Sequence, residues 1–250
     1  MGYIINQNRA VGFFSSFNIV VGALKCLSDN SATDFYVNWQ NPLYQTDQQN
    51  LFDKYFYKQN IPEAIGDEYD AVEIGNIYEP TFDQQLFLEL NKILHRYNYF
   101  NNDIYRQCAS SCISLENCLG VHVRGTDHHQ HGELLTVEAY FVAIDKKLIE
   151  GAFENILLIT DEEPLVNRFR QRYGDKLHTN VGISRSTTGT AIHYEGFADL
   201  EKLVLEVMSD AISLSKCKEI IITASNVAAY ALMLNPHIKF NQIDLHIKYT

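Results

Sequence analysis

From residue 119 to residue 234 the chain alternates strand-like with helix-like segments, and few folds accept that pattern. Residues 119–123, 154–160 and 219–223 are short runs rich in Val, Ile and Leu, and Leu177-His178-Thr179 is a shorter strand-like run, all bounded by polar or glycine-containing turns. Between them, residues 136–149, 162–173, 201–215 and 226–234 repeat apolar side chains at helical spacing. Strand–helix alternation of this kind builds a parallel sheet with helices on both faces. Ligands of such sheets sit outside the carboxyl ends of the strands. The first strand, Leu119-Gly120-Val121-His122-Val123, runs directly into Arg124-Gly125-Thr126-Asp127. It therefore delivers a cation, a hydroxyl and a carboxylate to that edge. Taken alone, Arg124 and Asp127 read equally well as a solvated ion pair in a surface turn.

Composition narrows the class. A chain of 250 residues with 46% hydrophobic and 20% charged residues can bury a sizeable core, in one large or two small domains. The formal net charge of −11 argues against tracking nucleic acid, which needs a basic surface. The five cysteines (Cys26, Cys108, Cys112, Cys118 and Cys217) are odd in number and lack paired metal-ligand spacing. They imply a reducing compartment. Residues 1–6 lack a basic region followed by a long apolar run, and residues 11–24 are too short and too polar to span a bilayer. The expectation is a cytoplasmic protein with at most peripheral membrane contact.

In the N-terminal half, Tyr3-Ile4-Ile5 reads as a strand and the segment through Cys26 as a helix. The small-residue loop between them, with Gly12, Ser16 and Asn18, is either a plain turn or an anion site at a helix start. Residues 34–39 form a strand ending in the single tryptophan, Trp39, and residues 44–57 are rich in aromatics. Most of these rings belong in a core. Trp39 and Tyr44 are the two held back as surfaces on which a sugar ring could stack. A short strand at residues 71–74 and helices near 86–94 and 104–115 complete this half. The division falls between an N-terminal α/β domain, residues 1–117, and a C-terminal Rossmann-like domain, residues 118–250.

Three segments share a resemblance. His122-Val123-Arg124-Gly125-Thr126-Asp127 resembles the peptide motif of the fucosyltransferase superfamily that includes the α1,6-fucosyltransferases, the rhizobial nodulation fucosyltransferase and the protein O-fucosyltransferases. Ile159-Thr160-Asp161 resembles its second motif. Asp210-Ala211-Ile212-Ser213-Leu214-Ser215, followed by Ile220-Ile221-Ile222-Thr223-Ala224-Ser225-Asn226, resembles its third. The resemblance implies two facing Rossmann-like domains of GT-B type and an inverting, metal-independent transfer of fucose from GDP-fucose to a glycan or glycoconjugate hydroxyl. No cofactor is implied beyond that nucleotide sugar. It also implies roles. Arg124 would neutralise the leaving diphosphate, and Asp210 and His122 would read guanine. Asp161, Thr223, Ser225 and Asn226 would line the donor, with Gly12, Ser16 and Asn18 facing it.

The chemistry of these residue types fits those roles. A planar guanidinium binds phosphate oxygens in pairs as charge builds on them. A carboxylate accepts from both N1–H and the exocyclic amine of guanine, a donor pair that adenine and uracil lack. For the base that deprotonates the acceptor, Asp127 and then Glu133 are favoured, with His131 in the same loop near the acceptor. His128, His129 and His131 lie in a loop without a companion carboxylate motif, so no metal is assigned. This chain departs from the family in having Gly125 where a second arginine stands, and Arg185 is the candidate to replace that charge. The departure keeps open an alternative: a degenerate module that binds a glycan or nucleotide without turnover.

Overall fold

Every strand pairing among the described residues is parallel. A computed structural model describes residues 2–30, 34–44, 49–62, 65–75, 82–96, 101–108, 114–125, 137–151, 153–192 and 199–243. Five strands, β4 (Cys118–Val123), β5 (Asn155–Thr160), β6 (Leu177–His178), β7 (Glu219–Ile222) and β8 (Lys239–Gln242), lie in the order β6-β5-β4-β7-β8. All six residues of β4 are buried, as the middle strand of a sheet covered on both faces must be.

The pleat sorts the strand side chains between two apolar layers. Leu119, Val121, Val123, Ile156, Leu158 and Ile221 pack under helices α6 (Val137–Ile149) and α7 (Glu163–Tyr173). Leu157, Ile159, Ile220 and Ile222 point the other way, toward α8 (Leu200–Ser215) and α9 (Asn226–Leu234). Residues one apart on a strand thus serve opposite layers, as a period of two demands.

A smaller sheet, in the order β2-β1-β3, holds β1 (Gly2–Gln7), β2 (Phe35–Trp39) and β3 (Ile65–Asp70). Against it pack α1 (Phe13–Asp29) and the short helices α2 (Leu51–Tyr55) and α3 (Ala71–Ile74). Two further helices, α4 (Gln84–Arg96) and α5 (Asn102–Cys108), lead toward the larger sheet. The division at 117/118 separates the strands of the two sheets, but α4 and α5 cross it. Asn91 Nδ2 donates to the Met233 carbonyl at 2.7 Å, and Ser209 Oγ donates to the Cys108 carbonyl at 3.0 Å. One apolar cluster is continuous from Ile5 and Trp39 to Met233 and Ile238.

Three elements differ from the sequence reading. Residues 71–74 are a helical turn rather than a strand, because Asp70 accepts the Val72 N–H at 2.9 Å and caps it. The strand precedes it as polar β3, paired at the sheet edge. Of the helix expected over 104–115, the described part through Cys108 is helical and residues 114–115 are not, where Cys118 N–H closes a turn on the Leu115 carbonyl at 3.1 Å; residues 109–113 lie outside the described residues. β8 was not foreseen, since Lys-Phe-Asn-Gln carries too little apolar signal. Among the described residues no helix is long and apolar enough to cross a membrane.

Candidate functional site

The strand order reverses at β4. The chain runs outward through β5 and β6, then returns to lay β7 on the opposite side of β4. The helix that follows β4, α6, packs on one face of the sheet and the helix that follows β7, α9, on the other. Such a switch point is where open α/β sheets hold their ligands.

Two residues of different motifs meet there. His122, 5% exposed on β4, places Nδ1 at 3.2 Å from Oγ of Ser225, which is 0% exposed just beyond β7. The same hydroxyl accepts the Ala228 N–H at 3.1 Å and so caps α9. Thr223, at the end of β7, accepts from the Tyr140 hydroxyl of α6 at 3.4 Å. From the smaller sheet's side, Asn18 of α1 donates to Asn226 Oδ1 at 2.9 Å and to its carbonyl at 3.3 Å. Thus the buried His122, Thr223, Ser225 and Asn18 gather with the partly exposed Asn226 around the first turn of α9.

The neighbouring edge is built on β5. Asp161 Oδ1 accepts the Gly125 N–H at 3.0 Å, which ties the chain after Arg124 to the end of β5. The Asp161 carbonyl accepts the Ser186 N–H at 2.8 Å, and Ser186 pairs with Glu162 in a parallel bridge. A β-carbon at position 125 would stand 2.4 Å from Cδ of Glu162 and 2.7 Å from its Cγ. The Glu162 side chain occupies the space that any larger residue at 125 would need. Arg124 itself is half-buried.

Asp210 lies farther along, on α8, 8% exposed. Its Oδ1 accepts from Asn180 Nδ2 at 2.7 Å, and Asn180 Oδ1 in turn accepts from Ser213 Oγ at 3.2 Å. Burial pushes the Asp210 carboxyl up to about 7, against the opposing pull of the Asn180 hydrogen bond and of Arg185, with Glu206 and Asp161 adding to the rise. Glu206 accepts Ser184 N–H at 3.0 Å and Ser184 Oγ–H at 3.1 Å. Beside this network opens a cavity of about 780 Å³, lined by Asn180, Glu206, Ser209, Leu205 and Cys108 among others. Its volume falls within the usual range for a small-molecule site.

Asn180, Glu206, Ser213 and Tyr140 were missed in the sequence. Ser213 stands within the third motif, and Asn180 carried a signal in its place just after a short parallel strand. Other assignments need correction. Trp39 is 0% exposed, ringed by Phe13 at 5.1 Å and Phe56 at 6.0 Å, and Tyr44 is also interior. Neither offers a ring face to a sugar. Ser16 is likewise interior, accepting from Asn41 Nδ2 at 3.2 Å, whereas a β-carbon at Gly12 would meet nothing within 4 Å. Asp127, His131 and Glu133 lie outside the described residues, as do His128 and His129. Among the described residues no three His, Cys, Asp or Glu side chains are placed to hold a metal ion.

No protein-family model matches the chain, and no curated protein does either. Among solved structures the fold is shared with fucosyltransferases of GT-B-like architecture. The NodZ α-1,6-fucosyltransferase soaked with GDP-fucose matches with a TM-score of 0.60 at 14% identity, over 97% of this chain and 95% of that one. The NodZ fucosyltransferase from Bradyrhizobium matches at 0.58 and 13%, over 95% and 94%. POFUT1 in complex with GDP matches at 0.51 and 10%, over 98% and 99%. At these identities what is shared is the fold, and it is the fold of the superfamily whose motifs the sequence resembles.

Proposed function

We propose that the protein is an inverting glycosyltransferase that moves fucose from GDP-fucose to a hydroxyl of a glycan or glycoconjugate. The observation that carries the reading is the contact of His122 with Ser225. It joins the first and third motifs at the switch point of a fold whose solved examples hold GDP and GDP-fucose.

The acceptor oxygen attacks the anomeric carbon as the bond from that carbon to the diphosphate oxygen breaks, so the sugar inverts and GDP departs. The acceptor proton passes to a carboxylate, for which Asp127 is the first candidate and Glu133 the second. Charge growing on the diphosphate is met by Arg124 and by N–H groups of the first turn of α9, beyond the one Ser225 already holds. Asp210 reads the guanine edge through Oδ2, for which no partner appears among the described residues, and through the remaining lone pair of Oδ1. Gly12, Asn18 and Asp161 bound the donor. No cofactor is assigned, and turnover should survive EDTA.

A second reading, a binding module without turnover, is favoured by one observation only: Gly125, with Glu162 filling the space of the absent side chain. Titration with GDP, GDP-fucose, GDP-mannose and UDP-sugars, followed by a donor hydrolysis assay, separates the two. GDP selectivity with hydrolysis supports the enzyme, and selectivity without hydrolysis supports the module. Equal affinity for UDP removes the assignment of Asp210 to guanine.

A further inference from the structure

We infer that Arg185 is a second binding group for the donor diphosphate, set on the β5 edge beside Arg124; this rests on the nucleotide-sugar reading of the site. Its position follows from the backbone. Gly125, next to Arg124, is hydrogen bonded to Asp161, and the Asp161 carbonyl holds the N–H of Ser186, the residue after Arg185. Two hydrogen bonds therefore fix Arg185 relative to Arg124 along one sheet edge.

The side chain is only 11% exposed, yet poorly satisfied. Nη2 reaches the Asn180 carbonyl at 3.4 Å, and Nη1 stands 3.7 Å from Oε2 of Glu163, both long for a guanidinium. Nε is buried without any hydrogen-bond partner. A buried donor left unpaired costs free energy, and five donors holding two loose acceptors are poised for a tighter anion. Arg185 also reaches the network of the proposed guanine reader, since it draws the Asp210 carboxyl downward and bonds the carbonyl of Asn180, the partner of Asp210. A diphosphate lies between base and sugar, so its cation belongs between a base reader and the reacting edge. Position 125 cannot supply that cation while Glu162 fills its space.

The test is calorimetric titration of the native protein, Arg185→Gln, Arg185→Lys and Glu163→Gln with GDP, guanosine and inorganic pyrophosphate. Arg185→Gln should weaken GDP and pyrophosphate about 10- to 100-fold, the range of a charge-assisted hydrogen bond, with guanosine unchanged. Arg185→Lys should recover part of the loss. Glu163→Gln should tighten pyrophosphate several-fold by releasing the guanidinium. GDP binding by Arg185→Gln within twofold of native, or equal losses for GDP and guanosine, would overturn the inference. Should Arg185→Gln fail to fold, Glu163→Gln decides, and unchanged pyrophosphate binding there overturns it. Failure of the native protein to prefer GDP over UDP strikes the nucleotide reading instead, and the pyrophosphate titrations still judge Arg185.

Discussion

His122 and Ser225 lie 103 residues apart in sequence and 3.2 Å apart in the fold, imidazole nitrogen to hydroxyl oxygen. Because Ser225 Oγ also caps α9, one hydroxyl ties the central strand to the first turn of the helix that follows β7.

Removing that hydroxyl should be felt twice. Ser225→Ala leaves the Ala228 N–H uncapped and His122 without this partner, so stability should fall by about 1–3 kcal/mol. GDP affinity should fall as well, because the α9 turn loses its anchor. Urea unfolding with and without GDP measures both. A variant of native stability would mean that the contact contributes nothing.

Asp210 sets a pH dependence with two opposite signs. Its carboxyl is raised from 3.8 to about 7 in the folded protein. Between those values the unfolded chain ionises while the native one stays protonated, so the native state binds more protons and stability falls as pH rises. The loss begins near pH 4, is complete near pH 7, and amounts to a few kcal/mol. Guanine binding needs the ionised carboxylate, so GDP affinity should rise through the same upper limit. Asp210→Asn should flatten the stability curve across this window and abolish the preference for GDP over UDP. Denaturation and titration at pH 5, 6, 7 and 8 test both arms.

Arg124 should matter more to turnover than to donor affinity, because its charge partner grows as GDP departs. Arg124→Ala should lower kcat about 10²–10³-fold, by analogy with the loss of one preorganised oxyanion donor. Arg124→Lys should restore only part of it. If the residue merely braces the loop, Arg124→Ala will lower Tm and leave kcat near native.

Gly125 and Glu162 form a testable pair. Gly125→Arg would set its side chain into the space of Glu162 and should cost about 1–3 kcal/mol by overpacking. Combining it with Glu162→Ala should return most of that stability. A single variant as stable as the native protein would show that Glu162 moves aside without cost.

Much of this was legible in the chain. Val, Ile and Leu runs with a period of two announced the buried strands, and the helices between them followed from apolar spacing. Residues of the three motifs meet, as His122 does with Ser225 and Gly125 with Asp161, because parallel strands bring their carboxyl ends together however far apart they are in sequence. What escaped had a physical reason. β8 offers only Phe240 to the apolar cluster, and its exposed Lys239 and Asn241 carry no core signal. Trp39 looked like a sugar platform because composition cannot say which aromatic faces inward. Asn180 and Glu206 gain their roles only when the loop after β6 folds against α8. The base candidates, in residues 126–136, are beyond what the described residues can place.

The bond from Asn18 to Asn226 has a consequence for how binding is transmitted. Phe14 stacks on Tyr230 at 4.3 Å beside it, so α1 and α9 share a polar clasp and an aromatic contact within two turns. An anion seated on the first turn of α9 presses on a helix that belongs to one sheet and is fastened to the other. Donor binding should therefore slow amide exchange in α1 nearly as much as in α9, although α1 need touch no phosphate. The smaller sheet would sense the arrival of a diphosphate that it need not contact.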